Sequence, residues 1–119
     1  MTVAGHLIII PTYNESDNIE KLLDLISRTD PAAHVLIVDD NSPDRTYEIV
    51  ERLMQTSYPG RLFLLKRAGK LGLGTAYIAG FKWALARDYD YIFEMDADFS
   101  HNPKYLPAFL AAIEQNDLV

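Results

Sequence analysis

The chain contains no cysteine, which removes disulfides, thiolate zinc sites and cysteine nucleophiles from consideration. That lack fits the cytosol. Basic residues are short as well: eleven Lys and Arg stand against seventeen Asp and Glu, for a net charge of −6. A nucleic-acid surface needs a basic face, so no nucleic-acid partner is expected. Long apolar runs are missing too, and no stretch nears the ~20 residues a membrane helix requires. The start, Met1-Thr2-Val3-Ala4-Gly5-His6, lacks the basic region of a signal peptide. No internal repeat, low-complexity tract or linker interrupts the sequence. The expectation is a soluble, cytoplasmic chain, with peripheral association at the cytoplasmic face of a membrane left open.

What is present is globular in composition. Of 119 residues, 49% are apolar and 24% charged, which suits one domain with a single core. Apolar patterning alternates strand and helix. Leu7–Ile10 is a continuous apolar run ended by Pro11, a buried strand. Asn14 or Ser16 can cap the helix that follows, whose apolar face is Ile19, Leu22, Leu23 and Ile26. Val35–Val38 is a second buried strand, closing on Asp39-Asp40. Ser42-Pro43 opens a second helix with the hydroxyl at the cap, and Tyr47, Val50, Leu53 and Met54 line its inner face. Arg61–Leu65 is a third strand; Gly72–Ala86 follows as a helix with Ile78, Phe81 and Leu85 available for packing. Asp90–Met95 is a fourth strand, and Asn102-Pro103 opens a fourth helix with Leu106, Phe109, Leu110 and Ile113 on its face. Asp117-Leu118-Val119 reads as the beginning of a fifth strand. This order predicts an α/β fold, an open and mostly parallel sheet with helices on both faces. The chain is expected to be the N-terminal part of a longer domain.

Asp96-Ala97-Asp98, at the end of the fourth strand, carries the most chemistry. Carboxylates one residue apart on a strand point to the same side. Like charges that close repel unless a cation neutralises them. Hard oxygen donors suit Mg²⁺ or Mn²⁺, which also bind substrate phosphates. Two further polar segments end other strands: Pro11-Thr12-Tyr13-Asn14-Glu15 and Asp39-Asp40-Asn41-Ser42. Ligands of open parallel sheets bind beyond the carboxyl ends of the strands, where strand order reverses. With the order 3-2-1-4, all three segments would meet at one mouth.

Four blocks carry a resemblance to a known family: P-T-Y-N-E at 11–15, V-D-D-N-S-P-D at 38–44, G-K-L-G-L-G-T-A-Y at 69–77 and M-D-A-D-F-S-H-N-P at 95–103. Together they resemble the family 2 glycosyltransferases, and within them the dolichol-phosphate (polyprenol-phosphate) mannosyltransferases. The resemblance spans nearly the whole chain. It implies a nucleotide-diphospho-sugar transferase domain of glycosyltransferase type A, with residues 1–119 as its donor-binding part. It implies inverting transfer of mannose from GDP-mannose to dolichyl or polyprenyl phosphate, with Mg²⁺ or Mn²⁺. By motif, Pro11, Tyr13 and Glu15 would contact guanosine and ribose. Val38 and Asp40 would hold the base, with Asp39 supporting the loop. Asp96, Ala97 and Asp98 would meet the ribose, the diphosphate and the metal, Asp98 as the main ligand. Some members carry glutamine where this chain has Ser100. The acceptor site is expected after Val119.

The same sequence admits other readings. Gly72-Leu73-Gly74 lacks the third glycine of a dinucleotide fingerprint, which would fall at Tyr77. Lys66, Arg67 and Lys70 are read as solvated surface charge, with phosphate contact as the alternative. His6 and His34 are read as surface residues, while His101 adjoins the D-x-D loop. A receiver domain would place its acidic pair after the first strand, and a haloacid-dehalogenase phosphatase would place its D-x-D there. Here the acids follow strands two and four. Two alternatives stay open: a non-catalytic nucleotide-sugar-binding fragment or regulatory subunit, and a transferase using UDP-glucose or UDP-N-acetylglucosamine.

Overall fold

The computed structural model describes residues 5–68, 73–87 and 89–95. Their element order is β1 (His6–Thr12), α1 (Ile19–Thr29), β2 (His34–Asp39), α2 (Thr46–Gln55), β3 (Leu62–Lys66), α3 (Leu73–Leu85) and β4 (Tyr91–Glu94). The four strands are all parallel, in the order β3-β2-β1-β4. The expected fourth helix and fifth strand lie outside the described residues.

Strands β1 and β2 are apolar on both sides because both sides are covered. Ile8, Ile10, Val35 and Ile37 face α1 and α2, which bury Ile19, Leu22, Leu23, Ile26, Val50 and Leu53 against them. Leu7, Ile9, Leu36 and Val38 face the opposite way, toward α3. Each fully buried Leu or Ile contributes about 1.5–3 kcal/mol, so α1 alone is anchored by its expected stripe.

Helix α3 departs from expectation. Ile78 and Leu85 are 55% and 77% exposed. The helix instead lays Ala76 and Ala84 on the sheet, with Tyr77, Phe81 and Trp83 beside them. Gly80 lies between those alanines, and a Cβ there would sit 2.7 Å from Ile9 Cγ2. Close approach of helix to strand selects small residues at the contact, and Ile78 and Leu85 turn outward.

Strand β1 runs on through Pro11 to Thr12 rather than stopping at Ile10. The ladder explains how. Met95 N–H donates to Ile9 O on the β4 side, while Asp40 N–H donates to Thr12 O on the β2 side. Pro11 shares the side of Ile9, so its missing N–H takes nothing from the β1–β2 ladder.

At the opposite edge, His6, expected on the surface, is buried instead, and His34 is half-buried. His6 Nε2 lies 2.6 Å from Asp30 Oδ2, with both side chains largely buried. His34 Nδ1 lies 2.8 Å from Tyr89 Oη. Burial, with the nearby His6 and Arg61, lowers the His34 pKa.

Candidate functional site

Parallel strands deliver all their carboxyl ends to one edge. Thr12 and Asp39 are register partners at the ends of β1 and β2, so the two loops that follow start side by side. Asp39 is fully enclosed, and its carboxylate is spent on the loops. It accepts from Thr12 Oγ1 at 2.6 Å, Ser42 Oγ at 2.7 Å and Ser42 N–H at 3.0 Å. Ser42 Oγ in turn accepts from Asn14 N–H. The hydroxyl expected to cap α2 is therefore occupied elsewhere, and α2 starts later, at Thr46.

Asp44 takes over that end. Its Oδ1 accepts from Thr46 N–H and Thr46 Oγ1, and its Oδ2 accepts from Ser16 N–H. Thr46 Oγ1 accepts from Glu15 N–H, and Asp44 N–H donates to Asn14 Oδ1. Burial pushes the Asp44 carboxyl upward, but the hydrogen bonds from Thr46 and Ser16 outweigh it, so its pKa lies below the ordinary value. Asn14 and Ser16, expected as caps of α1, serve this lattice instead. Asn14, Asn41 and Arg45 all adopt left-handed backbone here, with φ of 57°, 56° and 62°. Asn tolerates that conformation; Arg45 bears a cost of about 1–2 kcal/mol.

The predicted residues fall into distinct positions. Pro11, Tyr13 and Glu15 are half-buried along the β1 side of this edge. Val38 has no exposed side chain, so only its backbone can meet a ligand. Asp39 sits beneath, as loop support. Asp40 is buried at the end of β2 and gripped by Arg67, whose Nε donates to Oδ1 at 2.6 Å and whose Nη2 donates to Oδ2 at 2.9 Å. Asp96, Ala97, Asp98, Ser100, His101 and Lys70 lie outside the described residues. The described residues end at Met95, whose N–H bonds to Ile9 O, three residues before the Thr12 end of β1.

Arg67 is neither surface charge nor free for phosphate: its side chain is 11% exposed. Lys66, the register partner of Asp39 at the end of β3, lies over the Tyr47 ring, 3.7 Å from its centroid. No short-range pattern could have found the Arg67–Asp40 pair, which spans 27 positions. Asp44 and Thr46 did carry a signal: an Asp two residues before a Thr at a helix start forms a local cap. Among the described residues, no group of three or more His, Asp or Glu is placed to hold a metal ion. No described helix is long and apolar enough to cross a membrane.

The sequence profile of glycosyl transferase family 2 matches residues 7–119. The chain belongs to the family 2 glycosyltransferases. It is 44% identical over 108 residues to the polyprenol monophosphomannose synthase of Mycolicibacterium smegmatis, covering 91% of this chain and 40% of that one. It is 45% identical over 113 residues to the undecaprenyl-phosphate mannosyltransferase of Micrococcus luteus, covering 95% and 46%. The chain thus spans less than half the length of these curated relatives. Among solved structures, S. aureus TarS (residues 1–349) superposes with a TM-score of 0.76 at 26% identity, over 95% of this chain and 33% of that one. The mannosyltransferase PcManGT of Pyrobaculum calidifontis, in complex with GDP-Man and Mn²⁺, superposes with a TM-score of 0.61 at 32% identity, over 66% and 24%. The family and the observed strand order agree on the type A glycosyltransferase fold, the expected open parallel sheet with helices on both faces.

Proposed function

We propose that this chain is the donor-binding part of an inverting, metal-dependent glycosyltransferase that moves mannose from GDP-mannose to a polyprenyl or dolichyl phosphate. The observation that carries the proposal is the joining of the β1 and β2 loops into one hydrogen-bonded edge, with β4 beside β1. β4 runs parallel to β1, toward the same end of the sheet. Further support comes from relatives named for polyprenol and undecaprenyl-phosphate mannose chemistry, and from a structural neighbour holding GDP-Man and Mn²⁺.

In this proposal Tyr13 and Pro11 offer apolar faces to the nucleoside. Glu15 and Asp40 accept from ribose O–H and base N–H groups, and Val38 contributes its backbone. Asp39 holds the loops and touches no donor. Asp96 and Asp98 would hold Mg²⁺ or Mn²⁺, for which their carboxylate oxygens are suitable donors, with Ala97 alongside at the diphosphate. When bound, such an ion supplies Lewis-acid stabilisation of the departing diphosphate. An acceptor phosphate oxygen is already anionic and needs no general base. It forms the bond to the anomeric carbon as the carbon–oxygen bond to GDP breaks, and GDP leaves with the electron pair. The protein's main task is alignment of acceptor and sugar carbon. Association of the whole protein with a membrane face belongs to the same proposal, because the acceptor is a lipid.

The test is turnover of GDP-mannose with a short polyprenyl phosphate by the full-length protein, beside calorimetric titration of GDP and UDP sugars with and without Mn²⁺. Mannosyl transfer and GDP selectivity are expected. Tight UDP selectivity would move the donor to UDP-glucose or UDP-N-acetylglucosamine. Binding without turnover would leave a nucleotide-sugar-binding subunit. Asp98→Ala should abolish the Mn²⁺-dependent part of the affinity.

A further inference from the structure

The ion pair between Asp40 and Arg67 is built more rigidly than charge balance requires. The guanidinium meets the carboxylate with two parallel donors, and both side chains are nearly enclosed, at 8% and 11% exposure. Its third nitrogen, Nη1, donates to Thr75 Oγ1 at 3.0 Å in the first turn of α3. The Arg67 backbone is fixed as well, its N–H donating to Asp39 O at 2.7 Å. Asp40 is held from its own backbone through the bond to Thr12 O. Arg67 therefore fixes the plane of one carboxylate relative to β1, β2 and α3 together.

A bidentate fork adds geometric specificity to the attraction, which a lysine cannot reproduce. We infer that Arg67 is a positioning residue for base selection, orienting the Asp40 carboxylate to accept from a base edge that presents N–H donors. The inference rests on the donor-site proposal above and deepens it. Guanine offers adjacent donors on its Watson–Crick edge. Adenine places an acceptor on that edge, which a fixed carboxylate repels. Arg67 thus acts on affinity through Asp40 and without touching the nucleotide.

The experiment measures GDP and ADP affinities calorimetrically for the full-length protein with Mn²⁺, and for Arg67→Lys, Asp40→Asn and the double variant. Arg67→Lys keeps the charge and removes the fork. The ratio of the two affinities does not depend on the folded fraction, so a partly unfolded variant still reports. Expected is a GDP preference in the parent that falls roughly tenfold or more in Arg67→Lys. ADP affinity should hold or rise, and the double variant should be no worse than Asp40→Asn. Equal loss for GDP and ADP, multiplied losses in the double variant, or unchanged selectivity in Arg67→Lys would each overturn the inference while leaving the donor proposal intact. A parent that binds no nucleotide overturns both.

Discussion

The two ends of the sheet are held together in different ways. At the carboxyl end, side-chain oxygens of Asp39, Ser42, Asp44 and Thr46 bond to backbone N–H groups of the neighbouring loops. At the amino end, side chains bond to side chains: His6 to Asp30, His34 to Tyr89, and Tyr58 Oη to Asp24 at 2.7 Å. The first arrangement fixes loop backbone and so presents other residues at set positions. The second staples helices and strands and presents nothing. Parallel α/β sheets bind at the carboxyl end, and here that end is the one where side-chain oxygens hold the N–H groups of the neighbouring loop.

Substitutions can break or sharpen that contrast. The largest effect is expected from Asp39→Ala, which strands three buried donors; a loss of about 2–4 kcal/mol is expected by urea unfolding, with nucleotide affinity falling alongside. His6→Leu, at the other end, leaves Asp30 without its partner and should cost about 1–3 kcal/mol. Nucleotide affinity per folded molecule should not change; a matched loss of affinity would erase the distinction between the ends.

The ends also titrate in opposite directions. Burial and the bond to Asp24 raise the Tyr58 pKa to about 12 from an ordinary 10.0. The stability this contributes is full below pH 10 and is lost as pH rises toward 12. Asp44 is shifted the other way, below an ordinary 3.8. Its contribution is present above that value and disappears as pH falls through the folded-state pKa. Tyr58→Phe should flatten the alkaline limb of a stability–pH curve by removing a contribution of about 1 kcal/mol, and Asp44→Asn should flatten the acid limb. A Tyr58→Phe variant with an unaltered alkaline limb would count against the Asp24 staple. The smallest effect belongs to Arg45→Gly, which relieves left-handed backbone and should raise stability by up to about 1 kcal/mol. The exposed ion pair it removes, 3.9 Å from Glu48, is worth little.

Much of the frame could be read from residue order. The β1 and β2 runs are continuous and apolar because both faces are covered, and the α1 stripe of Ile19, Leu22, Leu23 and Ile26 is the buried set observed. The strand order 3-2-1-4, the condition under which the polar loops would meet, is the order observed. Helix α3 was harder, since it is apolar nearly all round and its period does not single out a face. Contact with Ile9 decided the matter, by size. Ser42, Arg67 and His6 were misplaced for one shared reason. Each is committed to a partner on another element: Ser42 to Asn14, Arg67 to Asp40 and His6 to Asp30. Local pattern carries no trace of such partners. Tyr13, Glu15 and Asp40 do follow the neighbouring ends of β1 and β2, but the ligand roles proposed for them rest on motif and chemistry, not on periodicity.

The contact at Gly80 reaches further than the core it serves. With room there for hydrogen alone, the helix rests directly on the Ile9 side chain, and any added carbon must displace that side chain or lift the rod. Five residues back along that rod, roughly 7.5 Å, stands Thr75 with its grip on Arg67. A methyl group inserted mid-helix would therefore be felt at the rim, making an interior hydrogen atom part of what seats Arg67 against Asp40.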